Sequence, residues 1–449
     1  MAERFWITTL GCPKNDVDSQ KLIGRLDAGG YERAQDPGEA DLIVVNTCAF
    51  IEAAREESIE TILELDGLRG AGSRLVVTGC LAERSGEELA AAIGEIDLVA
   101  GFGVPVEMKT TRRVVRAAGH ASPLDASTNS FDLLELPRPS ASAPWAYVKV
   151  AEGCDRRCGF CAIPSFRGKQ RSRPMASILA EIESLKAREI VLVAQDLASY
   201  GHDRATGPSG RLPTVPGIVE LVEAAAQRVE RVRLLYLYPS SLNDHLVEAV
   251  LATGVPYFDL SLQHASGRLL RKMRRYGNAG RFLERIGRIR ELEPGAAFRS
   301  SFILGYPGET EEDHDELLRF LEEAELDWAG FFTFSREEGT LAAGLGEQVP
   351  APLALDRLTE CSELQEAVTA RRRRELVGTT CDVLVDRPGR ARSYREAPEI
   401  DGVVHVPASL PVAWLGQVRV VGATGPDLEA VPDPAFELEA SDLVGGVRR

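Results

Sequence analysis

Gly153-Cys154-Asp155-Arg156-Arg157-Cys158-Gly159-Phe160-Cys161 carries three cysteines in the spacing Cys-x3-Cys-x2-Cys, directly after an apolar, β-type run, Trp145–Ala151. Three thiolates in one short loop can hold three irons of a four-iron cluster and leave the fourth iron without a protein ligand. An open metal position is what allows a metal centre to take a substrate. Structural zinc normally requires four protein ligands, often as two separated cysteine pairs, and no fourth Cys or His lies near this loop. A zinc-stabilised binding module without catalysis is the alternative reading of these thiols.

The run before the loop opens a series. Trp145–Ala151, Ile190–Gln195, Val232–Leu237, Tyr257–Gln263, Ala297–Leu304 and Trp328–Phe334 read as strands, with helical patterns between them such as Ser177–Ala187, Val219–Arg228 and Ala279–Leu292. A helix over Leu355–Arg374 ends the series. Six units are fewer than the eight of a complete barrel, so the pattern predicts an open, partial (β/α)6 barrel whose carboxyl-end loops form the site. The cysteine loop occupies the first of those ends.

Upstream, one pattern recurs: an apolar strand, a turn with a cysteine, then a helix. Phe5–Leu10 leads to Cys12 and a helix over Val17–Ala28; Leu42–Asn46 leads to Cys48 and a helix over Glu52–Leu65; Leu75–Thr78 leads to Cys80 and a helix over Glu83–Ile93. Ile96–Ala100 closes the series. Alternating strands and helices imply a parallel sheet with helices on its faces, and ligands gather beyond the carboxyl ends of such strands. The three cysteines all stand there, so they are expected to converge although 36 and 32 positions separate them. Downstream, Cys381–Val385, Gly402–Val406, Gln417–Val421 and Leu428–Val431 are short β-type runs separated by Pro and Gly, as in a small antiparallel β-barrel of the OB type. The predicted organisation is an α/β chain in three parts: an N-terminal parallel-sheet α/β domain over 1–118, a partial-barrel core over 142–372 and the small β-barrel over 373–443. The Ser-, Pro- and Ala-rich stretch from His120 to Pro144 supplies a linker over 119–141.

The 449 residues exceed what one typical core accommodates. The start, MAERFW, has no apolar segment of a secretory signal, and no run approaches the roughly 18 apolar residues of a membrane helix. The expectation is a soluble cytoplasmic protein with no membrane partner. In a reducing compartment, eight cysteines point to metal or redox chemistry rather than disulfides. The formal net charge of −16 opposes loose association with nucleic acid and favours a cationic partner.

With Phe160 before its last cysteine, the loop resembles the signature of radical S-adenosylmethionine (SAM) enzymes. In that superfamily the open iron binds the amino and carboxylate groups of S-adenosylmethionine. One electron from the reduced cluster enters the sulfonium, and a 5′-deoxyadenosyl radical then removes hydrogen from carbon that no ordinary base could deprotonate. The resemblance therefore assigns Cys154, Cys158 and Cys161 to the radical SAM cluster. Together the two cysteine sets resemble the methylthiotransferases, which join a three-cysteine N-terminal domain, a radical SAM core and a C-terminal TRAM domain; the likeness covers nearly the whole chain. It implies that Cys12, Cys48 and Cys80 hold a second [4Fe-4S] cluster whose vacant iron carries the transferred sulfur. It also implies that S-adenosyl-L-methionine serves as both methyl donor and radical source, and that an external electron donor is needed.

One branch of that family acts on tRNA adenosine and another on a ribosomal protein. Gly11-Cys12-Pro13-Lys14-Asn15, Asn46-Thr47-Cys48-Ala49-Phe50-Ile51, Cys161-Ala162-Ile163-Pro164-Ser165-Phe166-Arg167-Gly168, Gln195-Asp196-Leu197 and Ala397-Pro398-Glu399-Ile400-Asp401-Gly402 are similar to the ribosomal-protein branch. Asp16 and Ala49 depart from its pattern. The resemblance implies addition of a methylthio group to the β-carbon of an aspartate of small ribosomal subunit protein twelve; modification of tRNA adenosine is the alternative. Charge bears on the choice. From 375 to 446 there are 12 acidic and 5 basic residues, a net of −7. A TRAM domain gripping RNA should be basic, because phosphate contacts supply most of the affinity, whereas an acidic one suits a basic ribosomal protein.

Phe160, Gln195, Gln263 and Gly305 are the candidate S-adenosylmethionine contacts. Gln195 and Gln263 stand at strand ends, and Gly305 belongs to Ser301-Phe302-Ile303-Leu304-Gly305-Tyr306-Pro307-Gly308-Glu309, which ends a strand and opens a helix. Structural alternatives stay open for each: a fixed loop for the glutamines, a tight turn for the glycine. Cys361 and Cys381 read as packed thiols, and Arg371–Arg374 as a solvated helix end. Gly101-Phe102-Gly103 is too short a match to imply nucleotide binding.

Overall fold

The computed structural model describes residues 2–102, 104–106, 114–115, 132–204 and 217–433. Most of the expected linker over 119–141, and Gly103, lie outside them.

In the first strand–helix series the apolar runs become parallel strands. Glu32–Arg33, Arg4–Thr9, Leu42–Thr47, Arg74–Gly79, Leu98–Ala100 and Val114–Val115 form one sheet in that order. Leu42–Thr47 is buried along its whole length. Its alternate residues face opposite layers: Leu42 and Val44 meet Leu22 and Leu26 of the helix Pro13–Ala28, while Ile43 and Val45 meet Ile62 and Leu65 of the helix Glu52–Leu68. A period-2 strand apolar on both faces is what a sheet covered on both sides requires.

The core has the six expected strands, in two three-stranded parallel sheets. Trp145–Lys149, Glu189–Val193 and Arg231–Leu234 make one; Tyr257–Gln263, Ala297–Leu304 and Trp328–Thr333 make the other. A single bridge, Leu237 to Leu260, links them. The outward residues pack under the helices Met175–Leu185, Ile218–Ala226, Asp244–Ala252, Ala279–Leu292 and Glu311–Ala324. The inward residues Tyr147, Val191, Val193, Leu235, Tyr257 and Ala297 share a cluster with Val17 of the first helix and Ala397 of the C-terminal part. The partial barrel is thus filled by its neighbours. At the lower rim the Tyr147 hydroxyl donates to the Pro398 carbonyl at 3.0 Å and the Tyr257 hydroxyl to Asp401 Oδ2 at 2.6 Å. At the carboxyl ends, Lys149 pairs with Asp18 of the first helix.

Three readings need correction. The first core strand stops at Lys149, and Ala151–Glu152 pairs instead with Arg171–Ser172, turning the chain into the cysteine loop. The small barrel closes through five strands, Thr380–Arg387, Arg390–Arg392, Val404–His405, Asp427–Pro432 and Leu415–Thr424, and one pair, Val404–His405 with Asp427–Pro432, is parallel. Arg390–Arg392 carries no apolar alternation because Arg392 turns inward to carboxylates. Arg371–Arg374 is a solvated helix end only in part: Arg371 and Arg374 are exposed, but Arg373 is 1% exposed and pairs with Glu396, and Arg372 pairs with Asp327 at 3.2 Å. Cys361 is packed in the barrel–helix core.

Glu189 ties the small barrel to the core. Fully buried, it accepts from Arg233 at 2.8 Å and Arg392 at 3.0 Å. Burial opposes its charge, but Arg392, Arg233 and Arg231 outweigh burial and bring its pKa to about 2 from an ordinary 4.5. Its contribution is therefore full above pH 4.5 and lost as pH falls toward 2. Glu189→Ala is expected to destabilise the protein by about 3–5 kcal/mol at pH 7, because two guanidiniums lose their shared buried partner. A urea midpoint equal to that of the unsubstituted protein would contradict this account.

Candidate active site

The cysteine loop leaves the Ala151–Glu152 ladder through Gly153 at φ +78, where a Cβ would collide with the Lys169 carbonyl. The Cys154 amide donates to the Gly168 carbonyl at 3.0 Å. Farther along, the Gly159 amide donates to the Met273 carbonyl and the Ala342 amide to the Gly159 carbonyl, both at 2.8 Å. Phe160 packs against the barrel–helix core. The loop is therefore held at both ends and in the middle. Cys154, Cys158 and Cys161 are free thiols; Cys158 stands near enough to Cys154, and both near enough to Cys161, to add to the upward shift of those two thiols. Burial is the larger cause, pushing Cys154 up to about 11 and Cys161 to about 12. At neutral pH both keep their protons until a metal displaces them. The Arg156 amide donates to Cys154 Sγ at 3.4 Å, and Arg275 Nη1 to Cys158 Sγ at 3.3 Å.

The three N-terminal cysteines do converge. Cys48 feels both Cys80 and Cys12, and Cys80 feels Cys12. Two glycines permit the approach. Gly11, at φ +91, would place a Cβ 2.8 Å from Cys48 Sγ, and at Gly79, φ +92, a Cβ would collide with Asn46 Oδ1. Asn15 ties the turns together: its Nδ2 donates to the Leu10 carbonyl at 2.8 Å and to the Thr47 carbonyl at 3.0 Å, and its own carbonyl accepts from Asn46 at 2.8 Å. Burial pushes Cys48 up to about 11, while at Cys12 burial is outweighed by Lys14 and Arg167, which bring the thiol below its ordinary value.

Arg167 joins the two trios. It ends the short helix Ile163–Arg167, which follows Cys161. Its guanidinium donates to Cys80 Sγ at 3.0 Å, to Asn15 Oδ1 at 2.6 Å, to both Glu152 oxygens at 3.0 Å and to Asp18 Oδ2 at 3.4 Å. Ala162 and Phe166 pack with Ala49 and Leu81 of the N-terminal domain. One turn of chain thus carries the core's cysteine loop onto the second cysteine trio.

Among the other candidates, Gln195 Nε2 donates to Glu152 Oε1 at 2.8 Å while its Oε1 is buried without a protein partner. Gln263 ends its strand at φ +74. Gly305 has Ala354 beside it, where a Cβ would lie 2.6 Å from the alanine methyl, and its amide donates to Glu309. The reading from sequence gave no roles to Glu152, Arg167, Arg275, Lys14, Tyr236 or Tyr238. Arg167 and Lys14 stand in segments already singled out, but nothing local says that their side chains reach another domain. The Tyr238 ring lies between Arg156, at 4.0 Å, and Arg275, at 3.9 Å, and Arg156 also pairs with Asp196 at 2.5 Å.

Three free thiols in each trio, drawn together by Gly11 and Gly79 in one and by a single short loop in the other, fit a cluster that wants one thiolate on each of three irons. Among the described residues no three His, Cys, Asp or Glu side chains gather tightly enough to hold one ion. The unpartnered Gln195 oxygen beside Glu152 offers a buried acceptor to a ligand with an amino group. Among the described residues no helix is long and apolar enough to cross a membrane.

Three family models match the chain: uncharacterized protein family UPF0004 over residues 4–101, the radical SAM superfamily over 148–321 and the TRAM domain over 377–432. The ribosomal protein uS12 methylthiotransferase RimO of Anaeromyxobacter sp. (strain Fw109-5) is 41% identical, over 94% of this chain and 90% of that protein. Its namesake from Cutibacterium acnes is 38% identical, over 95% and 97%, and that of Moorella thermoacetica 42%, over 90% and 93%. A solved cobalamin-dependent S-adenosylmethionine radical enzyme, OxsB, aligns at a TM-score of 0.46 and 14% identity, covering 82% of this chain and 56% of that one. With its cysteine trios, its three matched domains and full-length relatives near 40% identity, the chain belongs to the ribosomal protein uS12 methylthiotransferase family, iron–sulfur transferases of the radical SAM superfamily.

Proposed function

We propose that this protein adds a methylthio group to the β-carbon of an aspartate of ribosomal protein uS12. In this reading Cys154, Cys158 and Cys161 hold the cluster that engages S-adenosylmethionine, and Cys12, Cys48 and Cys80 hold the second. The observation that carries it is the shared wall: Arg167 touches Cys80 while standing six residues beyond Cys161. When bound, the clusters and S-adenosylmethionine supply removal of a hydrogen atom from carbon and a methylated sulfur to take its place.

The chain's own residues hold that chemistry in register. Arg156, paired with Asp196 and stacked on Tyr238, fixes the middle of the cysteine loop. Arg275 and Arg167 each place a guanidinium on a ligand sulfur, and hydrogen bonds to such sulfurs tune a cluster's potential. Glu152 keeps its charge: burial opposes it, but Arg167 and Lys149 outweigh burial and hold its carboxyl far below the usual range. It thereby orients Gln195, whose free oxygen suits the amino group of S-adenosylmethionine. Phe160 and Gly305 act on that cofactor's site through the packing of the loop and of the strand end.

The acidic C-terminal domain supports a basic protein partner over tRNA. Its strands enclose a core of Val383, Val385, Val418 and Leu428, leaving acidic residues such as Glu429 exposed. The reading places the protein in the cytoplasm, with an external electron donor.

Mass analysis of uS12 incubated with enzyme, S-adenosylmethionine and a reductant tests the proposal. The methylthio product is expected on uS12 and not on tRNA; modified tRNA with untouched uS12 would transfer the reading to the other branch. Cys158→Ala is expected to abolish 5′-deoxyadenosine formation, measured by chromatography. Cys48→Ala is expected to retain S-adenosylmethionine cleavage and lose sulfur insertion; a full yield of methylthio product from it would exclude Cys48 as a ligand.

A further inference from the structure

Three lysines of the described chain are buried near the junction of the N-terminal domain and the core: Lys14, Lys21 and Lys149. Two have carboxylates. Lys21 pairs with Glu181 at 3.2 Å and donates to the Leu134 carbonyl at 2.6 Å; Lys149 pairs with Asp18 and with Glu152 at 2.7 Å. Lys14 is 9% exposed, and among the described residues its ammonium has neither a carboxylate nor a hydrogen-bond acceptor. Besides the Cys12 thiol, which it helps to bring below its ordinary pKa, it meets the face of Tyr236, with the ring centroid 3.5 Å away. An aromatic face and a thiol leave the three N–H donors of an ammonium without an oxygen acceptor. Those donors are open to an anion from elsewhere.

Its location narrows the identity of that anion. Lys14 stands two residues from Cys12, at the amino end of the helix Pro13–Ala28, whose dipole also favours negative charge. Tyr236 follows the strand Arg231–Leu234 with φ +65, its amide held by Asp259 Oδ2 at 3.0 Å. Two residues on, Tyr238 lies between Arg156 and Arg275 at the other trio. The segment 236–238 thus runs from one set of thiols to the other, with Lys14 over its first ring. On the uS12 reading, the carbon that loses hydrogen at one centre and gains sulfur from the other belongs along this segment. An aspartate side chain carries its carboxylate directly on that carbon.

We infer that Lys14 binds the side-chain carboxylate of the target aspartate and so holds its β-carbon between the two cysteine trios. This rests on the uS12 reading above. The contact makes the site choose Asp over Asn, because the amide cannot satisfy a buried ammonium as the carboxylate does. Anchoring the neighbouring atom also fixes the reacting carbon.

The test uses anaerobic holoenzyme and two uS12 peptides, one with the target aspartate and one with Asn in its place. Equilibrium binding is read by fluorescence anisotropy and modification by mass analysis. Unsubstituted enzyme is expected to bind the Asp peptide about tenfold tighter or more, the scale of a charge-assisted hydrogen bond. Lys14→Met should weaken the Asp peptide and leave the Asn peptide little changed, bringing the ratio toward one, while iron per chain stays at the unsubstituted level. Lys14→Arg should keep part of the preference. An unchanged Asp-to-Asn ratio in Lys14→Met, or no preference in the unsubstituted enzyme, overturns the inference and leaves the uS12 reading standing. Loss of iron from Lys14→Met overturns it too, by assigning the ammonium to the second cluster. Failure of unsubstituted enzyme to modify either peptide removes the uS12 reading itself.

Discussion

A single buried guanidinium organises the centre of this protein. Arg167 reaches Glu152 of its own domain and Asp18, Asn15 and Cys80 of the N-terminal domain. A planar group with five donors can satisfy so many acceptors at once; an ammonium could not match the geometry. With Lys149 it balances the charges of Asp18 and Glu152, so four ionised groups stand together away from water. Removing any member strands a buried charge, at a cost of about 3–5 kcal/mol. The distance between the two thiol trios follows from this contact, because Arg167 is covalently near one and hydrogen-bonded to the other.

The same dependence appears at the opposite end of the core. A six-stranded open barrel leaves an inner face to be covered, and the chain covers it with Val17 above and Ala397 below. The segment that carries Ala397 is clamped by Tyr147, by Tyr257 and by Arg299, which pairs with Asp401 at 3.3 Å. Burial lifts the Asp401 carboxyl to about 6 even with Arg299 and Tyr257 beside it. The domains are therefore parts of one packed body in which the N-terminal and C-terminal parts complete the core's interior.

Much of this was legible in the chain. Continuous apolar, β-type runs marked the strands of the first sheet, since both faces of Leu42–Thr47 had to be buried. Strand–turn–cysteine repetition announced the second trio, because parallel strands end on one side. What escaped had distant causes. Arg390–Arg392 is a strand although two of its three residues are arginines, and its inward side chain is stabilised by Asp386 and Glu189, the latter some 200 residues away in sequence. Arg373 looked solvated for the same reason: Glu396, its partner, lies in another domain. Lys14 and Arg167 stand in segments singled out from the sequence, but a lone side chain's reach across a domain boundary has no local signature.

The central claim is that two trios of thiolates hold two clusters within reach of one carbon. Iron and acid-labile sulfide per chain, measured on protein purified without air, test it most directly. The account predicts about eight irons in the full protein and about four when Cys12, Cys48 and Cys80 are replaced together by alanine. Four irons in both proteins, or zinc in place of iron, would contradict it.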